Sequence, residues 1–332
     1  MDILIPYTGK NFVTDATMLT SIQTCGRKTN LGINQSLHSI RGKSNSLEVG
    51  SIMHKYLEVK YKSESLGLSK SQSHGFGMIA AELYISGCEY CTNFSPSHFT
   101  DEVHECNENC ILKPKCNHPV GEYPGLENTP PESTGNDIGW KFVLQTCEEY
   151  NEFYKNDFWV TLDTEIVKSR IMYQDDDIRI LFKSKLDWIV DTNAAILPCD
   201  HKTSKQFRSQ LSMNNQFMGQ CLNTDSRNVL INKIGWQKTF KPIDKFKRES
   251  ISYSAGRLFE WANEVLPYWC KIALMYEETG YWPPNFNNCE NKYGWCQFHE
   301  VCASNPDMRT EVLQANFKVG PQWNPQNHPD GE

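Results

Sequence analysis

Three consecutive strand-like segments constrain the fold of this 332-residue chain more than any other feature. FWVTLDTEIV (158–167) alternates apolar and polar residues, IRILFKSKLDWIV (178–190) is typical of a long strand, and AILPCDHKT (195–203) of a third. The turn sequences YQDDD and DTNA separate them. Strands joined by such short turns predict an antiparallel meander.

Helical periodicity surrounds the meander, and two further strands follow it as NVLINKIGW and ESISYSA. Thr14 or Asp15 is expected to cap the first helix, and Pro267 to kink the last. This order predicts an α/β fold with a mixed sheet flanked by helices. The predicted helices cover residues 14–33, 48–66, 76–86, 139–156, 207–222 and 255–279.

The bulk composition indicates a globular protein. Hydrophobic residues make up 39% of the chain and charged residues 22%, which is enough for a core. No run of 18 apolar residues predicts a membrane span, and MDILIPYTGK lacks the features of a signal peptide. The expectation is a cytoplasmic protein without a membrane partner.

The net charge of −7 conceals two opposite blocks. Residues 101–150 hold 10 acidic and 3 basic side chains, whereas residues 201–250 hold 10 basic and 3 acidic ones. The basic block suits the backbone phosphates of a nucleic acid, although a solvated lysine-rich surface explains it equally well.

Thirteen cysteines in a chain without a signal peptide favour metal ligation over disulfides. Residues 87–138 form a Cys-, Pro- and Gly-rich acidic insertion between an N-terminal helical part (1–86) and the remaining core (139–304). A structural zinc site is predicted there, with free cysteines on a flexible loop as the alternative. Its acidity favours a protein partner over a grip on DNA. The predicted ligands are Cys88, Cys91 and two of Cys106, Cys110 and Cys116.

Other cysteines fall into two groups. Cys147, Cys199, Cys221 and Cys270 lie in apolar patterns and are expected in the core. Cys289, Cys296 and Cys302 follow the last helix, one ligand short of a four-thiolate site. Residues 305–332, rich in Pro, Asn and Gln, predict a loose tail.

The meander carries a candidate catalytic site. Asp200 and Lys202 lie two apart on the third strand and therefore share a face, and Asp187 on the preceding strand is expected nearly opposite Asp200. Facing carboxylates repel one another unless a cation lies between them, and oxygen ligands select Mg²⁺ or Mn²⁺. A neighbouring lysine can orient water or counter charge on a phosphate, which suits phosphodiester hydrolysis. The alternative is a plain ion pair at the end of the strand.

Three further side chains are candidates for the same site. His54 lies on a predicted helix and would complete a carboxylate metal site if that helix covers the sheet. Gln216 follows the third strand within reach, and Glu165 on the first strand is a candidate ligand or water-holding group.

Taken in order, these elements resemble the RecB-like branch of the PD-(D/E)xK nuclease superfamily. The resemblance covers residues 14–304 apart from the insertion, and it departs from the family pattern at Gly26, Ser184 and Gln220. The matching elements are TCGRKTNLG around Cys25, Gly50 with His54, Asp187, Asp200 with Lys202 and Thr203, and Gln216.

The resemblance implies a metal-dependent DNA exonuclease, acting on single strands or duplex ends. It implies the His201 backbone carbonyl as a further Mg²⁺ or Mn²⁺ ligand. Its iron–sulfur members, which include AddB-like, CRISPR-associated RecB-like and phage-type proteins, imply a [4Fe–4S] cluster on Cys25, Cys289, Cys296 and Cys302. That cluster would staple the N- and C-terminal segments. A phage-encoded protein would work in the host cytoplasm.

Alternatives to this interpretation remain. Zinc would also suit four thiolates. A nuclease fold with weak catalysis would serve as a DNA-end-binding scaffold, and the insertion alone would make a zinc adaptor. Tyr281, Trp282 and Trp295 would either stack on bases or pack in the core.

Overall fold

The computed structural model describes residues 9–40, 45–85, 140–204, 212–237, 240–291 and 294–322. The predicted zinc ligands lie outside the described residues, so the insertion stays a prediction. They are Cys88, Cys91, Cys106, Cys110 and Cys116.

A mixed six-stranded sheet lies at the centre of the molecule, and two small two-stranded sheets accompany it. The strands are β1 (Lys10–Asp15), β2 (Leu37–Ser39), β3 (Val160–Gln174), β4 (Ile178–Asp191), β5 (Ile196–Ser204), β6 (Asn228–Gly235), β7 (Phe246–Ser252), β8 (Glu290–Asn291), β9 (Gly294–Trp295) and β10 (Phe317–Val319).

The predicted antiparallel meander is confirmed. β3 pairs with β4 along its length, from Val160 opposite Asp191 to Gln174 opposite Arg179. β4 pairs antiparallel with β5, β5 runs parallel to β6, and β6 pairs antiparallel with β7. The mixed sheet of an α/β fold is therefore present as expected.

The second edge of β4 is shared between two strands. β1, which the sequence did not predict, pairs parallel with residues 178–183, and β5 pairs with residues 188–191. β3 already occupies the first edge, so within the described sheet residues 184–187 have no strand partner on the second. The sheet forks at this interval.

Helices cover the sheet on both faces. They are α1 (Ala16–Thr24), α2 (Gly26–Thr29), α3 (Asn45–Ser65), α4 (Lys70–Ile85), α5 (Trp140–Phe153), α6 (Asn215–Asn223), α7 (Pro242–Lys245), α8 (Ala255–Glu260), α9 (Leu266–Thr279), α10 (His299–Ala303) and α11 (Arg309–Asn316). Among the described helices, none combines the length and apolar character needed to cross a membrane.

Helix boundaries differ from the prediction in several places, and α6 begins only at Asn215. Asp15 caps α1 by accepting a hydrogen bond from the Met18 N–H, but the predicted 14–33 helix breaks at Cys25, whose backbone is extended. α4 is also longer than predicted. A π-helical turn, Trp261–Val265, separates α8 from α9 just before Pro267, because proline has no N–H to continue the α-helical ladder.

Two apolar cores fill the molecule. One packs α1, α6 and α9 on Ile180 and Phe182 of β4, and the other packs α3 and α5 on Trp188. β6 serves both, because Ile231 belongs to the first core and Leu230 to the second. This burial on both faces explains why consecutive residues of β6, Val229, Leu230 and Ile231, are all apolar.

The predicted loose tail is wrong for the described part of residues 305–332. α11 is followed by β10, which pairs antiparallel with β2. Phe317 stacks on Phe298 with ring centroids 4.9 Å apart, so a small apolar cluster holds the segment in place. The polar composition of this segment gave no indication that a few apolar residues, such as Phe317, anchor it.

Candidate functional site

Asp187 and Asp200 lie at the fork of the sheet. The last β4–β5 pair is Trp188 opposite Cys199, so the next step along both strands brings the two aspartates opposite each other. The turn that sets this register closes with a hydrogen bond from the Thr192 N–H to the Ala195 carbonyl (3.1 Å). The register therefore supports the predicted opposition of the two carboxylates.

A network of polar contacts surrounds Asp200, which is 0% exposed. Its Oδ2 lies 2.6 Å from Nζ of Lys202, and its Oδ1 accepts a hydrogen bond from Nε2 of Gln216 (2.6 Å). Lys202 also donates to Oε1 of Gln216 (3.1 Å). Burial works against the charge on Lys202, yet the Asp200 carboxylate outweighs it and the pKa of Lys202 is raised. The lysine therefore stays protonated in neutral solution.

His54 reaches the fork from α3. Its Nδ1 lies 3.7 Å from Oδ2 of Asp187, and that oxygen also accepts the His201 backbone N–H at 2.8 Å. Burial lowers the pKa of His54, although the Asp200 and Glu165 carboxylates and the His201 backbone oppose this shift. A neutral imidazole beside a carboxylate is a suitable metal-ligand pair.

Glu165 joins the same group. Ligand atoms of His54, Glu165 and Asp187 all lie within 4.8 Å of one another. Glu165 has a left-handed backbone (φ 54°) inside β3, and its Oε2 lies 2.6 Å from Nζ of Lys185. This conformation is uncommon for a residue other than glycine. Asp200 is not part of this group of three, although it is a neighbour of Asp187.

Buried negative charge makes this site suited to a cation. Burial, with repulsion from neighbouring carboxylates, raises the pKa of Asp187 and of Glu165 to about 7. Oδ2 of Asp200 accepts no hydrogen bond of regular geometry, although Lys202 is its ion-pair partner. Carboxylate oxygens with one imidazole are a donor set that fits Mg²⁺ or Mn²⁺.

Two residues near the site, Ser184 and Gln220, differ from the nuclease family pattern, and each forms contacts in the structure. Ser184 accepts a hydrogen bond from Nδ2 of Asn223 (2.9 Å), which ties β4 to α6. Gln220 is fully buried, and its Nε2 lies 3.4 Å from both the Lys185 carbonyl and Oδ1 of Asp200. Its amide therefore bridges the two strands of the fork.

Cys25, Cys289, Cys296 and Cys302 line one pocket, and all four are free thiols. Sγ of Cys25 accepts the Asn285 N–H at 3.2 Å, which links α1 to the C-terminal segment. Among the described residues, no three of these sulfurs lie within 4.8 Å of one another. The predicted core cysteines, Cys147, Cys199, Cys221 and Cys270, are all buried as expected.

A cleft of about 570 Å³ opens beside the fork. The sequence analysis did not identify its basic lining, which consists of Lys28, Lys183 and Lys185. α1 and the start of α6 form other parts of the wall, and Gln216 connects it with the Asp200 network. The only sequence signal was the K-x-K spacing ahead of Asp187.

The expected role of the 201–250 block in nucleic-acid binding fails for several of its members. Lys233 and Lys245 are buried and pair with Glu249 and Glu149. The side chain of Arg248 is only 7% exposed and pairs with Asp157. Lys205, Arg208 and Lys238 lie outside the described residues.

The C-terminal aromatic residues divide between the two expected roles. Trp282 is packed at 8% exposure, whereas Tyr281 and Trp295 are 64% and 62% exposed.

No family model and no curated protein matches this chain. Among solved structures, the chain is similar to one described as "Crystal structure of SSO0001". The two share 15% identity over 49% of this chain and 70% of that chain, with a TM-score of 0.30.

Proposed function

We propose that the protein is a Mg²⁺- or Mn²⁺-dependent DNA exonuclease that hydrolyses phosphodiester bonds in single strands or at duplex ends. The carrying observation is the convergence of His54, Asp187, Asp200 and Lys202 at the fork of the sheet. The same convergence supports assignment to the PD-(D/E)xK fold, in its RecB-like branch. DNA processing or recombination, of a phage type, is the corresponding role.

His54, Asp187, Asp200 and the His201 carbonyl would hold the ion, with Glu165 as a further ligand or water-holding group. The ion supplies Lewis acidity and a more acidic bound water. Lys202, beside Asp200 and Gln216, orients the attacking water or helps to deprotonate it, and it counters charge on the phosphate. Gln216 fixes Lys202 and Asp200 in their relative positions.

The decisive experiment uses end-labelled single-stranded DNA and Mn²⁺ under anaerobic conditions. Lys202→Ala is expected to lower the cleavage rate by at least about 100-fold, the usual contribution of a positioned proton-transfer or charge-stabilising group. Lys155→Ala is the matched control, since Lys155 is an exposed surface lysine paired with Glu152. Equal cleavage by wild type and Lys202→Ala would end the exonuclease proposal and favour a DNA-end-binding scaffold.

The four thiols are proposed to hold a [4Fe–4S] cluster. A tetrahedral zinc site, with Zn–S distances of about 2.3 Å, brings its sulfurs within about 4 Å of one another. A cluster keeps them further apart, because each thiolate binds a different iron. The shared pocket of the four thiols supports a four-thiolate site of either kind, and the choice of the cluster over zinc rests on the family resemblance.

Cys296→Ser is expected to lose iron, the brown colour and thermal stability, since the cluster would join α1 to the C-terminal segment. Cys221→Ala, at a buried core position outside that pocket, should retain its iron. A Cys296→Ser protein with full iron content would contradict the assignment, and stoichiometric zinc in the wild type would replace it.

The insertion keeps its separate prediction of bound zinc and a protein partner. Metal analysis of Cys88→Ser/Cys91→Ser tests it, and unchanged zinc content would refute it.

A further inference from the structure

The unpaired interval of β4 borders the cleft. Lys183, Ser184 and Lys185 all line it, and Asp187 follows two residues later. From 182 to 188 buried and half-buried positions alternate, and the half-buried ones are Lys183, Lys185 and Asp187. A row of two lysines thus ends at the candidate metal centre.

The two lysines differ in their present contacts. Nζ of Lys185 lies 2.6 Å from Glu165, at the border between the metal centre and the cleft. Lys183 forms no ion pair among the described side chains, although it is half-buried. An ammonium group in a half-buried position without a counter-ion is suited to an anionic ligand.

The spacing of the row matches a polyphosphate ligand. Alternate residues on a strand are about 6.6 Å apart, close to the separation of successive phosphates on one nucleic-acid strand. A cleft of about 570 Å³ is in the range of small-molecule sites, a size that suits a short stretch of one strand. Nε2 of Gln220 lies 3.4 Å from the Lys185 carbonyl, which disfavours an added protein strand at this edge, whereas the Lys183 and Lys185 side chains still line the cleft.

We propose that the cleft beside the unpaired interval of β4 binds one DNA strand. Lys185 and Lys183 would bind the two phosphates next to the one at the metal centre. This inference rests on the proposed nuclease function, since it takes the scissile phosphate to lie at Asp187. β4 thereby sets the register of the substrate. Neither lysine contributes to the ligand set of the ion.

The experiment measures binding of a fluorescent single-stranded oligonucleotide by anisotropy, with Ca²⁺ in place of Mn²⁺ to prevent cleavage. Each phosphate contact contributes about −0.7 to the slope of log K against log salt concentration for single strands. Lys183→Gln and Lys185→Gln should each make the slope shallower by about 0.7, and the double variant by about 1.4. Lys155→Gln should leave it unchanged.

A second measurement places each lysine on its own phosphate. Oligonucleotides with one uncharged methylphosphonate, one or two linkages from the cleavage site on either side, should bind wild type more weakly at one position per lysine. When the lysine that contacts this position has been replaced by glutamine, the methylphosphonate should cause no further loss of affinity. This cycle separates a direct contact from a general change of fold.

The outcomes separate the two proposals. If both lysine variants keep the wild-type salt dependence of DNA binding while the wild-type protein cleaves DNA, the proposed role of the lysines is refuted and the nuclease proposal stands. Binding with the expected slopes but no cleavage by wild type would refute the nuclease function alone. Absence of strand binding by the wild type would overturn both.

Discussion

The metal centre is expected to destabilise the protein whenever no cation is bound, and Asp187→Asn tests this directly. Asp187 is half-buried beside Glu165 and Asp200, and its pKa is raised from 3.8 to about 7. Asparagine removes the charge but keeps an oxygen that can accept the His201 N–H. The variant should therefore be more stable than wild type without metal.

The magnitude follows from the pKa of Asp187. At about 1.4 kcal/mol per pKa unit, a rise from 3.8 to about 7 means that the ionised carboxyl destabilises the folded protein by about 4 kcal/mol above pH 7. Relaxation and water penetration around a buried charge reduce such penalties, so we expect about 2 kcal/mol, or about 4 °C in Tm. A raised carboxyl pKa gives stability that is complete below pH 3.8 and is lost as the pH rises through 7.

The gain from Asp187→Asn should accordingly grow between about pH 4 and pH 7 and then level off. Urea unfolding in EDTA at pH 5, 6, 7 and 8 measures it, and Mn²⁺ should stabilise only the wild type. A variant no more stable than wild type at pH 8, or a gain that is independent of pH, would refute the reasoning.

Three further predictions concern the core and the ion. Arg248→Met should lower the free energy of unfolding by about 1–3 kcal/mol, because it removes the ion-pair partner of the half-buried Asp157 carboxylate. Gly219→Ala should cost about 1–3 kcal/mol, since the new Cβ would meet the Phe182 ring at 2.1 Å, whereas Gly256→Ala has open space and should not destabilise; urea unfolding checks all three variants. Mn²⁺ affinity, measured by calorimetry, should rise between about tenfold and about a hundredfold per pH unit below about pH 7 and then level off, because the ion displaces a proton from one or both of the site carboxyls; a flat profile would contradict this.

Local signals explain what the sequence predicted well. The turn after β4 and the alternation on both sides of it set a register, and that register brings Asp187 opposite Asp200. The placement of Gln216 followed because its helix begins soon after β5, with Asn214 as the cap. Features determined within about 30 residues of one another needed no knowledge of the tertiary fold.

Contacts between distant segments explain what was missed. β1 forms only by pairing with β4, some 170 residues away, and β10 only by pairing with β2. The helical periodicity around Cys25 gave no sign of the break, because the reason for it lies in the C-terminal segment that binds this region. The left-handed backbone of Glu165 left no signal in its residue type either.

The pairing of β10 with β2 has a consequence for synthesis of the chain. The site residues lie between His54 and Gln216, whereas β2 and Cys25 near the start contact the segment 289–319. During translation, all the candidate site residues leave the ribosome well before the segments that contact β2 and Cys25. Closing so long a loop is a slow, late step, so the nascent chain would hold an assembled fork before its ends are joined.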